Sequence, residues 1–226
     1  MDTRDNLSFK EFNTRFKKAA LERGAKVRTL ANGCCVAVFR PRKKFRLAVM
    51  AGLHGDERSG PMALLDWIEN AEIKSDHGLW IAPLINDFGW DNQRRRWHMI
   101  DLNRHFEKES APKFINQTMR SIKKFDPTVF LDLHEDVTSY PYIFKREDDG
   151  EDSFLSQLQT KLKVEYEPWK YFSEWNGSSE NYARLLGCKV ATTIEAPNRW
   201  PLDRRIDYHI SAVKWCYRQI DRAVIT

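Results

Sequence analysis

The chain reads as an α/β protein, a mixed β-sheet sandwiched between helices, with its 226 residues forming one domain. Three observations predict this. Hydrophobic periodicity alternates between helical and strand type along most of the sequence, with one hairpin signal early on. Apolar residues make up 42% of the chain, with thirteen Phe and eight Trp, which is enough for a sizeable core and too much for disorder. Finally, three β-like runs each end in a side chain able to bind a metal or move a proton, the pattern expected where strand ends open onto a site.

Each element has a local reason. Leu7 to Arg23 carries Phe9, Phe12, Phe16, Ala19 and Ala20 at helical spacing and stops at Gly24. Lys26–Leu30 and Cys34–Phe39 flank Asn32-Gly33, which predicts a two-residue hairpin turn. Phe45–Ala51 reads as a strand, and Gly60-Pro61 opens a helix over Met62–Glu69. Leu79–Ile85 follows as a strand, then an amphipathic helix over Ala111–Phe125 with Pro112 near its start. A strand over Thr128–Leu133 leads to a short strand over Tyr140–Phe144 and a helix over Ser153–Leu162. Ser179–Leu186 is a helix closed by Gly187, Lys189–Ile194 a strand, and Asp203–Val224 a final helix.

The chemistry concentrates at strand ends. The run Leu47–Ala51 leads into His54-Gly55-Asp56-Glu57, an imidazole and a carboxylate three residues apart. Alone, this could be a surface turn after a strand. The second run ends in His134-Glu135-Asp136 and the third in Glu195-Ala196-Pro197. Two His, one Glu and a separate Glu match a catalytic zinc site with a carboxylate left over to activate water. A satisfied core histidine is the plain alternative for His134, but an unpaired buried Glu195 is harder to dismiss, because burying a lone carboxylate is costly.

Between these pieces stands Asp101-Leu102-Asn103-Arg104-His105-Phe106. The ordered set H-x-x-E, D-L-N-R-x-F, D-L-H and T-x-E, spanning residues 54 to 195, resembles the zinc carboxypeptidase A/B family and its aspartoacylase and succinylglutamate desuccinylase relatives. That resemblance implies the zinc carboxypeptidase fold and one zinc per chain, held by His54, Glu57 and His134. It also implies Asp101 orienting His54, Asn103 and Arg104 gripping a free α-carboxylate, Arg96 polarising the scissile carbonyl, and Glu195 as general base. Arg94 and Arg95 read as a solvated basic loop. By the same resemblance, counting back from Glu195 puts Glu180 at the floor of the side-chain pocket, where it would favour Lys or Arg; the alternative is an acid that simply decorates the first turn of the Ser179–Leu186 helix, stabilised there by the dipole. Ser173 falls where peptide-cleaving members place a mobile Tyr, and Tyr171 lies close enough to substitute.

The resemblance therefore implies a zinc metallocarboxypeptidase acting on peptides with a free C-terminal carboxylate. The alternative is an N-acyl-amino-acid deacylase with the same metal and the same Glu. Only 31 residues follow Glu195, and they read as one helix, which suggests a pocket open to peptides. A net charge of +5 could signal nucleic acid, but there is no zinc finger, RNP-type motif or long basic tract. Arg40–Arg46 reads as a solvated connection, so no nucleic-acid partner is expected. The four cysteines contain no C-x-x-C and read as buried reduced thiols. The first nine residues lack the apolar core of a signal peptide, and no stretch is long enough to span a bilayer. A cytoplasmic monomer is the expectation that follows.

Overall fold

The computed structural model describes residues 7–70, 73, 77–145, 153–163, 165–168 and 176–220. The elements run α1 (Phe9–Glu22), β1 (Lys26–Thr29), β2 (Cys35–Phe39), β3 (Arg46–Ala51), α2 (Ser59–Asn70), β4 (Gly78–Ala82) and α3 (Asp87–Asn92). A single 3₁₀ turn, Leu102–Arg104, precedes α4 (Lys113–Phe125), β5 (Val129–Asp136), β6 (Tyr142–Lys145), α5 (Ser153–Leu162) and β7 (Glu165–Pro168). The order closes with α6 (Ser179–Leu185), β8 (Val190–Pro197) and α7 (Leu202–Gln219).

Among the described residues, eight strands form one mixed sheet in the order β1-β2-β4-β3-β5-β8-β6-β7. Its centre, β4-β3-β5-β8, is parallel, while β1, β2 and β6 join antiparallel to their inner neighbours. Strand alternation divides the core into two layers. Leu47, Val49, Leu131, Leu133 and Ile194 face one side, with Phe12 and Phe16 of α1, α2, α5 and α7. Ala48, Met50, Trp80, Phe130 and Ala191 face the other, with Phe114, Ile115 and Ile122 of α4 and Ala183 of α6. Because the central strands are covered on both faces, they read as continuous apolar runs rather than alternating ones.

Several boundaries differ from the sequence reading, for physical reasons. Leu30 and Cys34 close the hairpin with a 2.8 Å hydrogen bond, so its loop is three residues, with Gly33 at φ +90°. Asn-Gly serves here as a turn plus a left-handed residue rather than a two-residue turn. β4 stops at Ala82, because the Ile85 and Asn86 amides both donate to the Gly52 carbonyl instead of extending a ladder. α3, the 3₁₀ turn and β7 were not anticipated; the first two are too short to show a period. The predicted end of the last helix, Val224, lies outside the described residues. Cys34, Cys35 and Cys216 are buried thiols as expected, but Cys188 is only half-buried. Among the described residues no helix is long and apolar enough to cross a membrane.

Candidate metal centre and catalytic pocket

The carboxyl ends of β3, β5 and β8 lie side by side, and the site forms there, as parallel α/β sheets dictate. His134 stands directly beside Glu195 in the β5–β8 register. Phe130, Asp132 and His134 share one face of β5, so the strand period brings an aspartate and a histidine to the same rim.

His54 and Glu57 come from the loop between β3 and α2. Close backbone approach fixes that loop: a Cβ on Gly55 would fall 2.1 Å from the Gly89 carbonyl carbon, so only glycine fits. The Gly55 amide donates to the Arg95 carbonyl. Asn86, wholly buried, caps α3 by accepting from the Gly89 amide, and its side-chain NH₂ donates to the Leu53 and Arg95 carbonyls. One asparagine therefore ties three segments around the site, and nothing in the sequence pattern singled it out.

His54, Glu57 and His134 are all buried, and their ligand atoms lie within 4.8 Å of one another. Glu57 Oε1 is 2.7 Å from His54 Nδ1, and Oε2 is 2.8 Å from His134 Nδ1. Each imidazole turns its other nitrogen to an aspartate: His54 Nε2 is 3.3 Å from Asp101 Oδ1, and His134 Nε2 is 3.0 Å from Asp132 Oδ2. A carboxylate behind each ring is the arrangement that fixes the tautomer of a metal-bound histidine. Asp132, which the sequence reading passed over, is in turn hydrogen-bonded by the Ser179 hydroxyl.

The electrostatics match a cation site. Burial opposes the ionised form of Glu57, yet His54 and His134 hold it well below the usual carboxylate range. Burial likewise opposes a charged His134, but Asp132 and Glu57 push its proton affinity well above normal, and Glu57 and Asp101 raise His54. Burial also works against an ionised Asp101, but the His54 hydrogen bond and charge, with Arg104 and Arg95, hold it below its ordinary value. Protons here take the place of a divalent ion. The two-His-one-Glu donor set fits a single zinc.

The pocket next to the triad encloses about 140 Å³, room for a side-chain-sized group, and is lined by His54, His134, Arg95, Asn103, Arg104, Asp136, Tyr142, Phe144, Glu180 and Glu195 among others. Glu195 Oε2 is sealed from solvent and has no hydrogen-bond partner among the described residues. Burial raises its proton affinity to about 8, with His134 pulling the other way. Asn103 Oδ1 accepts from the Ser179 amide, and its Nδ2 is 3.4 Å from His134 Nε2. Gly177 presses on the same turn: its carbonyl accepts from the Phe106 amide, and a Cβ there would lie 2.5 Å from the Arg104 carbonyl oxygen.

Two sequence expectations need correction. Arg96 is exposed and does not line the pocket, whereas Arg95, read as a solvated loop residue, places Nη1 2.8 Å from Glu57 Oε1. Glu180 does reach the pocket, but it is not a free charge. Its Oε1 is 3.2 Å from Arg184 Nε, and its Oε2 accepts from the Thr193 hydroxyl at 2.9 Å. Tyr171 lies outside the described residues. One further residue escaped the sequence reading: Glu135, whose Oε1 accepts from the Ser59 amide at the start of α2 and whose Oε2 pairs with Arg205.

Comparison with known proteins agrees with this geometry. The family model of the succinylglutamate desuccinylase/aspartoacylase catalytic domain matches residues 43–195. Aspartoacylase from Xenopus tropicalis is 28% identical over 138 residues, 54% of this chain and 44% of that protein. The match thus spans less than half the length of that curated relative. Among solved structures, the metallo-carboxypeptidase from Burkholderia cenocepacia superposes with a TM-score of 0.78 at 13% identity, covering 96% of this chain and 70% of that one. Bovine thrombin-activatable fibrinolysis inhibitor gives 0.76 at 15% identity, covering 98% and 99%. At such identities these structures establish the zinc carboxypeptidase-like fold alone. With the catalytic-domain match running from the strand before His54 through Glu195, the chain belongs to the succinylglutamate desuccinylase/aspartoacylase family.

Proposed function

We propose that the chain is a zinc carboxypeptidase, hydrolysing the amide bond next to a free α-carboxylate in short peptides. One observation carries this reading: beside the His54–Glu57–His134 triad, a single pocket is lined by His54, His134, the Asn103–Arg104 pair and Glu195, whose Oε2 has no hydrogen-bond partner among the described residues. A zinc ion held by the triad supplies Lewis acidity and a water of lowered pKa.

The remaining roles belong to the chain's own side chains. Asn103 and Arg104 grip the substrate carboxylate, through a charge-assisted fork that lysine would not reproduce. Asp101 and Asp132 keep the two imidazoles in register. Glu195 takes the proton of the attacking water at Oε2 and returns it to the leaving nitrogen. Burial raises its proton affinity to about 8 against the pull of His134, which suits a group that must accept a proton. Arg95, half-exposed and paired with Glu57, swings to the developing oxyanion, the role the family resemblance implies for Arg96. At the pocket floor, Arg184 offsets the charge of Glu180, so selection for Lys or Arg at the C-terminus is weaker than Glu180 alone would impose.

The family match favours a second reading, removal of an acyl group from an N-acyl amino acid by the same machinery. A panel separates them. Short peptides with free and amidated C-termini should differ by roughly tenfold or more, since a lost charged hydrogen bond costs about 1.5–3 kcal/mol. Cleavage of N-acetyl-aspartate or N-succinyl-glutamate ahead of every peptide would replace the peptidase reading with the deacylase one.

A further inference from the structure

Carboxylates surround this site, and nearly all have a cationic partner. Glu57 has Arg95 and the two histidines, Asp101 has His54, Asp132 has His134, Glu135 has Arg205 and Glu180 has Arg184. Glu195 has none and serves as the base. Asp136 also lines the pocket without a cationic partner among the described residues, and the mechanism leaves it unused.

Its setting is built rather than incidental. Asp136 Oδ2 accepts from the Tyr142 hydroxyl at 2.6 Å, and Oδ1 accepts from the Val137 amide at 2.7 Å. Its carbonyl accepts from the Asn198 amide. Tyr142 meets Phe144 edge to face at 5.3 Å, and both rings line the same wall. A fixed carboxylate beside aromatic rings is an environment suited to an organic cation.

Position along β5 says which part of a substrate would reach it. Asp132, His134 and Asp136 follow one another on one face of the strand. The Asn103 clamp joins the inner end, through Ser179 to Asp132, and Asp136 stands at the outer end with His134 between them. Same-face neighbours on a strand lie about 6.5 Å apart. One amino-acid residue plus one hydrogen bond spans about the same distance.

We propose that Asp136, braced by Tyr142, binds the free α-ammonium group of the residue on the acyl side of the scissile bond, making unblocked dipeptides the preferred substrates. This rests on the amide-hydrolase reading of the site. A pocket with Arg104 and Asn103 at one end and Asp136 at the other is complementary to a zwitterion one residue either side of the cleaved bond, and it leaves Asp136 unpaired against an acylated nitrogen.

The test compares Ala-Phe and Gly-Leu with their N-acetyl counterparts on zinc-loaded enzyme. Wild type should favour the free amines in kcat/KM by about tenfold or more, as a charge-assisted hydrogen bond warrants. Asp136→Asn should cut that ratio about tenfold, chiefly through KM, while Asp136→Glu, which keeps the charge, retains part of it. Equal or higher activity on the acetylated forms in wild type, or an unchanged ratio in Asp136→Asn, would overturn the proposal. If neither ligand is hydrolysed, the hydrolase reading fails separately, and calorimetry on zinc-loaded Glu195→Gln protein still decides the point. Tighter binding of the free amine that Asp136→Asn abolishes supports the proposal, and equal binding of both ligands refutes it.

Discussion

The two walls of the pocket are built differently. On the wall formed by the β3–α2 loop and His134, the metal-binding atoms are spoken for: Glu57 alone contacts His54, His134, Arg95 and the Glu135 amide. On the wall formed by β8 and the outer end of β5, Glu195 Oε2 is buried without a partner and Asp136 faces the pocket without a cation, among the described residues. A buried unsatisfied carboxylate oxygen costs on the order of 1–3 kcal/mol, so it persists only where something compensates. The contrast teaches that the first wall is arranged to hold an ion rigidly, and the second keeps capacity open for a proton and a substrate.

The largest expected effect strikes the first wall. His134→Ala should take zinc content from about one per chain to almost none. Asp132→Ala should leave a site that still fills at saturating zinc but binds about 10–100-fold more weakly, the usual cost of losing the group that orients a ligating histidine. Competition against a chromophoric chelator reads both. Full zinc content in folded His134→Ala would remove that residue from the metal.

The second wall and the clamp should behave otherwise. Arg104→Ala should raise KM by about ten- to a hundredfold and move kcat much less, with zinc content unchanged, since it removes a charged hydrogen bond to bound substrate. A fall in kcat alone would place Arg104 in the chemistry instead.

Smallest, and felt in stability, is Glu180. Burial first, against the opposing pull of Arg184 and Thr193, raises its proton affinity from 4.5 to about 7. The folded state therefore binds that proton more tightly than the unfolded chain does. Its contribution is fully present below pH 4.5 and is lost as pH rises to about 7, by up to about 3 kcal/mol. Relative to wild type, Glu180→Gln should gain stability across that window and stay level above it, as urea denaturation at several pH values would register. A pH-independent difference would show that the folded protein does not hold Glu180 protonated.

Much of this was legible in the residues, and the failures have causes. The strands that lead to His54 and carry His134 and Glu195 could be read because buried parallel strands leave continuous apolar runs, although β5 and β8 continue two residues past those side chains. Asp132 was legible too, being two residues before His134 on the same strand face, but it was buried in an apolar run and passed as part of it. Arg95 and Arg96 are adjacent, and spacing within a loop carries no information about which one turns inward. Asn86 and Glu135 were invisible for another reason: their partners, Arg95 and Leu53 for one and Ser59 and Arg205 for the other, are distant in sequence and meet only in the fold. The charge of Glu180 was misjudged because its neutralising partner, Arg184, lies one helical turn along α6, a pairing the sequence does permit but does not require.

The measurement closest to the central claim is turnover and zinc content of Glu195→Gln on a peptide the wild type cleaves. The account predicts about one zinc per chain, little change in KM, and kcat reduced at least about a hundredfold, as loss of a general base implies. Turnover near wild type with zinc in place would contradict it.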